Sequence, residues 1–331
     1  MNEFAFRQYC RGRGMSAKAA EEAVSAVRDL WAHVARLGLR LEELSTGQLQ
    51  DYVTALIDGG RNTRERLISL LYYMRSAGRN ELFVHLIGLL SGRDVLPSIA
   101  ERLEQLAGPE ARAAVFRDFE LPPLGSPQTA YPPLTQQVIA RLRASLPEET
   151  CRDVLAGNHH RVPEQGFAHL RAMYLKDGID AVLAHKHETL VKTLERHLAS
   201  GEPWFEQIVT PGFVEVVRSN PEMGAGVREG DVVYTTKVPY SARGLDEPDP
   251  TMKRYYLCHC PLARESILAG TPVDPLFCYC SGGFGKVPFD VIFGEPVEVR
   301  LLESVLAGDM RCRFAILIPP GQVPSSEGGT K

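Results

Sequence analysis

Residues 296–319 read PVEVRLLESVLAGDMRCRFAILIP. Apolar and polar side chains alternate along both arms, and Ala307-Gly308-Asp309 stands between them. Side chains two apart on a strand share a face, so this pattern predicts an antiparallel hairpin with one buried side. The same alternation extends upstream through QIVTPGFVEVVRSN (207–220), GDVVYTTKVPY (230–240) and KRYYLCHC (253–260). Each is expected to be a strand.

The first third obeys a different period. In MSAKAAEEAVSAVRDLWAHVARLG (15–38), Val24, Val27, Leu30 and Trp31 recur at helical spacing, Ser16 is an N-cap and Gly38 a stop. LEELSTGQLQDYVTALIDGG (41–60) repeats the design, and NTRERLISLLYYMRSAGR and ELFVHLIGLLSG predict two more helices. Short helices are expected at 98–106, 110–118 and 134–145, around the Pro-rich stretch FELPPLGSPQTAYPPL, and further helix at 164–200. The fold class is therefore α+β. An N-terminal all-α bundle (1–107) leads into a connecting helical segment (108–147), a cysteine-rich α+β domain with an antiparallel sheet (148–320) and a disordered tail (321–331).

Composition narrows the function. The chain has 331 residues, 44% hydrophobic and 24% charged, with a formal charge of −4, which excludes collagen, coiled coil and wholesale disorder. Residues 1–107 carry +1 and the remainder −5, so neither half has the basic excess of a dedicated nucleic-acid binder. MNEFAFRQYCRGRG has charges where a signal peptide needs an apolar stretch, and no apolar run approaches the roughly 18–20 residues of a membrane span. A cytoplasmic protein is expected.

Five of the seven cysteines, Cys258, Cys260, Cys278, Cys280 and Cys312, fall in one short window. An odd count without a secretion signal argues against a disulfide framework. On strands, each Cys-x-Cys pair would project from one face just before a turn. Convergent thiolates repel and are stabilised by a cation. The five are therefore expected to hold Zn²⁺, or alternatively an iron–sulfur cluster, although both centres prefer Cys-x-x-Cys. Five thiols exceed four tetrahedral positions, so one could remain free as a nucleophile. CRDVLAGNHHRVP offers His160 as a helper or general base. Lys237, Tyr240 and Arg254 would line a polar pocket, with Glu265 as an acid/base group or a partner to a metal ligand.

Two resemblances accompany these readings. The aromatic start (Phe6, Tyr9), RGMSAKAAEEAVSAV, LEELSTGQLQDYVTALIDGG and NTRERLISLLYYMRSAG resemble the SAM-like core-binding domain of tyrosine recombinases over about the first 90 residues. The Arg, His-x-x-Arg and Tyr set of the recombinase catalytic domain does not follow. From about residue 150, KRYYLCHCPLARESI, FCYCSGGFGKVPFDVIFGEPVEV and ESVLAGDMRCRFAI resemble an uncharacterised cysteine-rich bacterial domain. Its hairpin ending GDMRCRFAI is similar to 4-vinyl reductase domains and thiazoline-carboxylate hydrolases. In the former, the cysteine matching Cys312 helps hold a metal beside a small hydrophobic-ligand pocket. The two Cys-x-Cys pairs depart from that pattern.

The expected function is a cytoplasmic metal-thiolate protein that binds a small polar or aromatic molecule, acting as a metal- or thiol-dependent hydrolase or lyase. The alternative is a ligand-sensing regulator whose helical domain contacts DNA or a protein partner.

Overall fold

The structure is a computed structural model and describes residues 2–322. The expected tail lies outside the described residues from 323 onward. The chain forms two compact units. Unit 1 comprises residues 1–91, 120–130 and 202–208, and unit 2 comprises 92–119, 131–201 and 209–331.

Unit 1 is all helical: α1 (Glu3–Gly12), α2 (Ala17–Arg36), α3 (Thr46–Asp58), α4 (Arg64–Ser76) and α5 (Asn80–Leu90). Ser16 caps as read from sequence, Ser45 rather than Thr46 caps the next long helix, and Thr63 adds a cap not read there. Ser16 accepts from the Ala19 amide, Ser45 forms a capping box with Gln48, and Thr63 accepts from the Arg66 amide. The apolar stripes meet in a core that includes Val24, Val27, Leu30, Leu49, Val53, Leu56, Leu67 and Leu70. The Pro-rich stretch is tied down here. Asn62 donates to the Leu124 carbonyl at 2.9 Å and Gln50 to that of Gly125 at 3.2 Å.

Unit 2 contains α6 (Val95–Val115), α7 (Pro132–Ser145), α8 (Glu148–Leu155), α9 (Ala168–Ser200), α10 (Pro211–Ser219), α11 (Arg243–Asp246), α12 (Pro250–Leu257), α13 (Glu265–Ala269) and α14 (Tyr279–Phe293). Its sheet comprises β1 (Val227–Glu229), β2 (Val232–Thr236), β3 (Val299–Glu303) and β4 (Arg313–Leu317), in the order β1-β2-β4-β3 with every pair antiparallel. The α+β class and the C-terminal hairpin stand as expected.

One stretch, 80–115, is long and apolar enough by composition for a bilayer. It is broken by a turn at residues 91–94, where Gly92 has φ 77°, and by non-helical geometry at Gly108. No continuous helical piece of it reaches the roughly 18–20 residues of a span.

Three expected strands are not strands. Residues 211–219 form α10, where Thr210 caps and Pro211 starts the helix. KRYYLCHC is helical through Leu257, because Asp249 caps the helix by accepting from the Met252 amide and Pro250 begins it. FCYC winds through a 3₁₀ turn (Pro275–Cys278) into α14, so Gly282 and Gly283 lie inside a helix rather than in a turn. The reason for glycine is close approach. A Cβ on Gly283 would stand 2.4 Å from the Gly157 carbonyl oxygen. The start of α14 is thereby pressed onto the loop that follows α8.

Candidate functional site

In the β2–β4 ladder Thr236 lies opposite Arg313. One residue beyond, the Lys237 amide donates to the Cys312 carbonyl at 2.9 Å. Backbone pairing thus places Lys237 beside Cys312, just outside both strands. The two side chains share the wall of a cavity of about 170 Å³. Met223, Pro239, Leu245, Leu257 and Met310 supply apolar walls, and Thr236, Lys253 and Arg311 polar ones. A salt-linked strut supports the floor, since Arg313 donates to Glu222 at 2.7 Å and Thr236 Oγ1 bonds the same carboxylate.

The remaining sulfurs gather behind this wall. Cys258 is the residue that ends α12, Cys260 follows in the adjoining loop, and Cys278 and Cys280 flank the start of α14. Cys258, Cys278 and Cys280 are buried, whereas Cys260 and Cys312 are partly exposed. The Cys278 thiol lies 3.0 Å from Ser304 Oγ and interacts electrostatically with its neighbour Cys312. The neighbouring Cys278 side chain holds the Cys312 thiol below its ordinary pKa against the cost of burial, with help from the Val305 amide and the Lys237 charge. Cys278 itself is held well above the ordinary range by the neighbouring Cys312 and by burial. Burial pushes Cys260 and Cys280 up to about 12, and Cys258 rises for the same reason. Lys237 is lowered by desolvation, against the field of Cys312, Cys280, Cys260 and Cys258. Its ammonium sits 4.4 Å from the centre of the Phe284 ring.

A second layer braces the Cys258–Cys260 loop. Arg264 is buried, with its guanidinium 3.8 Å from the Tyr240 ring centre and 5.0 Å from that of Tyr255. Tyr255 donates to Glu265 at 2.8 Å. The Ala263 and Arg264 amides close the loop on the Cys260 carbonyl. His259 packs edge-on to Tyr240, and its Nε2 is buried with no hydrogen-bond partner. Burial, with the nearby Lys237 and Arg264 charges, lowers its pKa to about 3.

The expected site residues are therefore distributed as follows. Lys237 and Cys312 line the cavity, while Cys258, Cys260, Cys278 and Cys280 lie behind it. His160 Nε2 stands 3.9 Å from Cys280 Sγ, with its ring edge-on to Phe284. Burial of that ring, with the Lys237 charge, lowers its pKa. Tyr240 and Glu265 belong to the Arg264 stack and do not reach the cavity. Arg254 contributes its carbonyl, which accepts the Cys258 amide at 3.0 Å. Cys151, in the His160 segment, is a buried thiol directed at the Leu142 and Leu146 carbonyls of its own helical layer.

Sequence reasoning missed Lys253, Met310 and Ser304. The one available signal for Lys253 was Asp249-Pro250, which opens the helix that carries it.

A shared metal centre requires the sulfurs to close on one point. Among the described residues, no three His, Cys, Asp or Glu side chains are gathered closely enough to hold a metal ion. Four of the thiols, Cys312, Cys280, Cys260 and Cys258, act electrostatically on Lys237. The residue types suit zinc or an iron–sulfur cluster, but their positions here do not form the tetrahedron that either would need.

Residues 241–323 match the model of a family of unknown function, DUF6144. The matched segment contains all five clustered cysteines together with Lys253 and the Tyr255–Arg264–Glu265 brace. No curated protein and no solved structure matches the chain.

Proposed function

We propose that unit 2 carries a cysteine nucleophile, Cys312, which acts on a small molecule held in the 170 Å³ cavity. One observation carries this reading: of the five clustered sulfurs, Cys312 alone lines the cavity, and β-pairing holds Lys237 next to it. Thiolate nucleophiles lie beside positive charge and within reach of solvent. The buried sulfurs behind are suited to support Cys312, with Cys278 its electrostatic neighbour.

The chemistry is displacement at an electrophilic carbon. The Cys312 sulfur gives its electron pair to that carbon and forms an S–C bond. The bond to the leaving group breaks with its electrons, and the leaving group takes a proton from water. Lys237 is placed to stabilise the negative charge that develops. Water then adds to the carbon and releases the Cys312 sulfur, so the overall reaction is a hydrolysis.

The test is alkylation of the reduced full chain by iodoacetamide near neutral pH, with each site followed by peptide mass spectrometry. Cys312 is expected to react at least about tenfold faster than the other four clustered cysteines. Equal rates, or a slower Cys312, overturn the reading.

A second reading, a thiolate-bound zinc, is favoured by the backbone. The Cys260 amide lowers the pKa of Cys258, and the Leu262 and Ala263 amides lower that of Cys260, each against burial. Such donors stabilise thiolates. Under that reading the sulfurs must draw in from the positions described here. Elemental analysis of reduced protein decides it. About one equivalent of zinc that is lost in Cys260→Ser supports the metal, and less than about 0.2 equivalents of any transition metal sinks it.

A further inference from the structure

The cavity wall contains two ammonium groups and no carboxylate. The neighbouring cations are already occupied. Arg311 is held by both oxygens of Glu303 at 2.6 and 2.8 Å, Arg313 is held by Glu222, and Lys286 is held by Asp290 at 2.8 Å. Lys237 and Lys253 differ. Among the described residues Lys237 has no carboxylate within ion-pair distance, and Lys253 Nζ reaches only the Leu245 carbonyl at 3.5 Å. A lysine beside a cavity without a counter-charge is stabilised when a ligand brings the opposite charge. Beside the polar Thr236, Arg311 and Cys312, the wall has thioether and aliphatic side chains from Met223, Met310, Leu245 and Leu257. A volume of 170 Å³ is roughly the space of six liquid waters at ~30 Å³ each, and it falls below the ~300–1,000 Å³ of pockets for drug-sized ligands.

We infer that the molecule taken by this cavity is a compact organic anion, with one negatively charged headgroup on a short apolar body. Lys237 and Lys253 receive the headgroup, and the methionine and leucine side chains receive the body. This inference rests on the reading of the cavity as the place where Cys312 meets its substrate, and it adds the charge and size of that substrate. A nucleotide or a glutathione-sized peptide is too large. An inorganic anion leaves the apolar walls without a partner.

The experiment separates recognition from chemistry by using the Cys312→Ser full chain, which retains the cavity and lacks the nucleophile. Butyrate, propane-1-sulfonate, butyramide and inorganic phosphate are titrated calorimetrically. Both organic anions are expected to bind at least tenfold more tightly than butyramide, which has the shape of butyrate without its charge, and more tightly than phosphate. The tighter of the two names the headgroup as carboxylate or sulfonate. Lys253→Met is expected to abolish the preference and Lys253→Arg to keep it, so misfolding cannot mimic the result. Butyramide binding as tightly as the anions, phosphate binding more tightly than both, or no organic anion binding at all overturns the inference. In each of those cases the alkylation of Cys312 in the unmutated chain still judges the nucleophile by itself.

Discussion

The amide of Lys237 donates to the carbonyl of Cys312 at 2.9 Å, and 75 residues of chain separate the two. This bond continues the β2–β4 ladder by one step and makes an ammonium the cross-strand neighbour of a thiol. The pairing lies just past the ends of the two central strands, where the side chains face a cavity. Its consequence is chemical, because a positive neighbour favours the thiolate over the thiol.

Lys237→Met removes that neighbour and keeps most of the side-chain volume. The alkylation rate of Cys312 near neutral pH is expected to fall about tenfold. Far-ultraviolet circular dichroism should be unchanged, since the ladder bond is made by backbone. An unchanged rate would show that the ammonium does not act on the sulfur.

Gly283 tests how α14 is seated. A methyl group there meets the Gly157 carbonyl oxygen at 2.4 Å and the Ala156 carbonyl carbon at 2.6 Å, and both are backbone atoms that cannot swing aside. Gly283→Ala is expected to cost about 2–4 kcal/mol in urea denaturation, as overpacking does, even though alanine is the better helix former. A neutral or stabilising effect would mean that the contact is loose.

His159 gives the chain a pH dependence. The ring is buried, with Nε2 2.8 Å from the Val154 carbonyl and Nδ1 3.2 Å from Ser98 Oγ. Burial outweighs these hydrogen bonds and lowers the pKa to about 4. The unfolded chain takes up the proton near the ordinary value of about 6.5, before the folded chain does. The associated stability, about 3 kcal/mol, is therefore complete above about pH 6.5 and is lost as the pH falls toward 4. Denaturation between pH 7 and 5 should show the decline, and His159→Gln should make it shallower, with the buried His160 and His259 contributing the remainder. A parallel decline in both proteins would assign the effect to other groups.

In unit 1, Ser45 and Gln48 cap α3 reciprocally, with each side chain accepting from the other residue's amide. Ser45→Ala is expected to cost about 1 kcal/mol. Ser45→Asp should recover most of it, and thermal unfolding of the two variants reads both effects.

Local chemistry made part of this molecule legible in its sequence. The cap at Ser16, the Ser45-Thr46 start and the apolar stripes specify α2, α3 and α4, because caps and helical periodicity are settled within a few residues. The hairpin of β3 and β4 was equally plain, from alternation around a Gly-Asp turn. KRYYLCHC and FCYC misled, because aromatic and thiol side chains resemble strand composition, whereas Asp249-Pro250 and the close seat of Gly283 favour helix. The clustering of five cysteines marked the region and left its geometry open. Which sulfur meets the cavity, which lysine stands beside it, and that Lys253 faces the same space were decided by the tertiary structure. Those relations depend on pairing between residues far apart in the chain, where the gain from long-range packing outweighs what any short stretch prefers by itself.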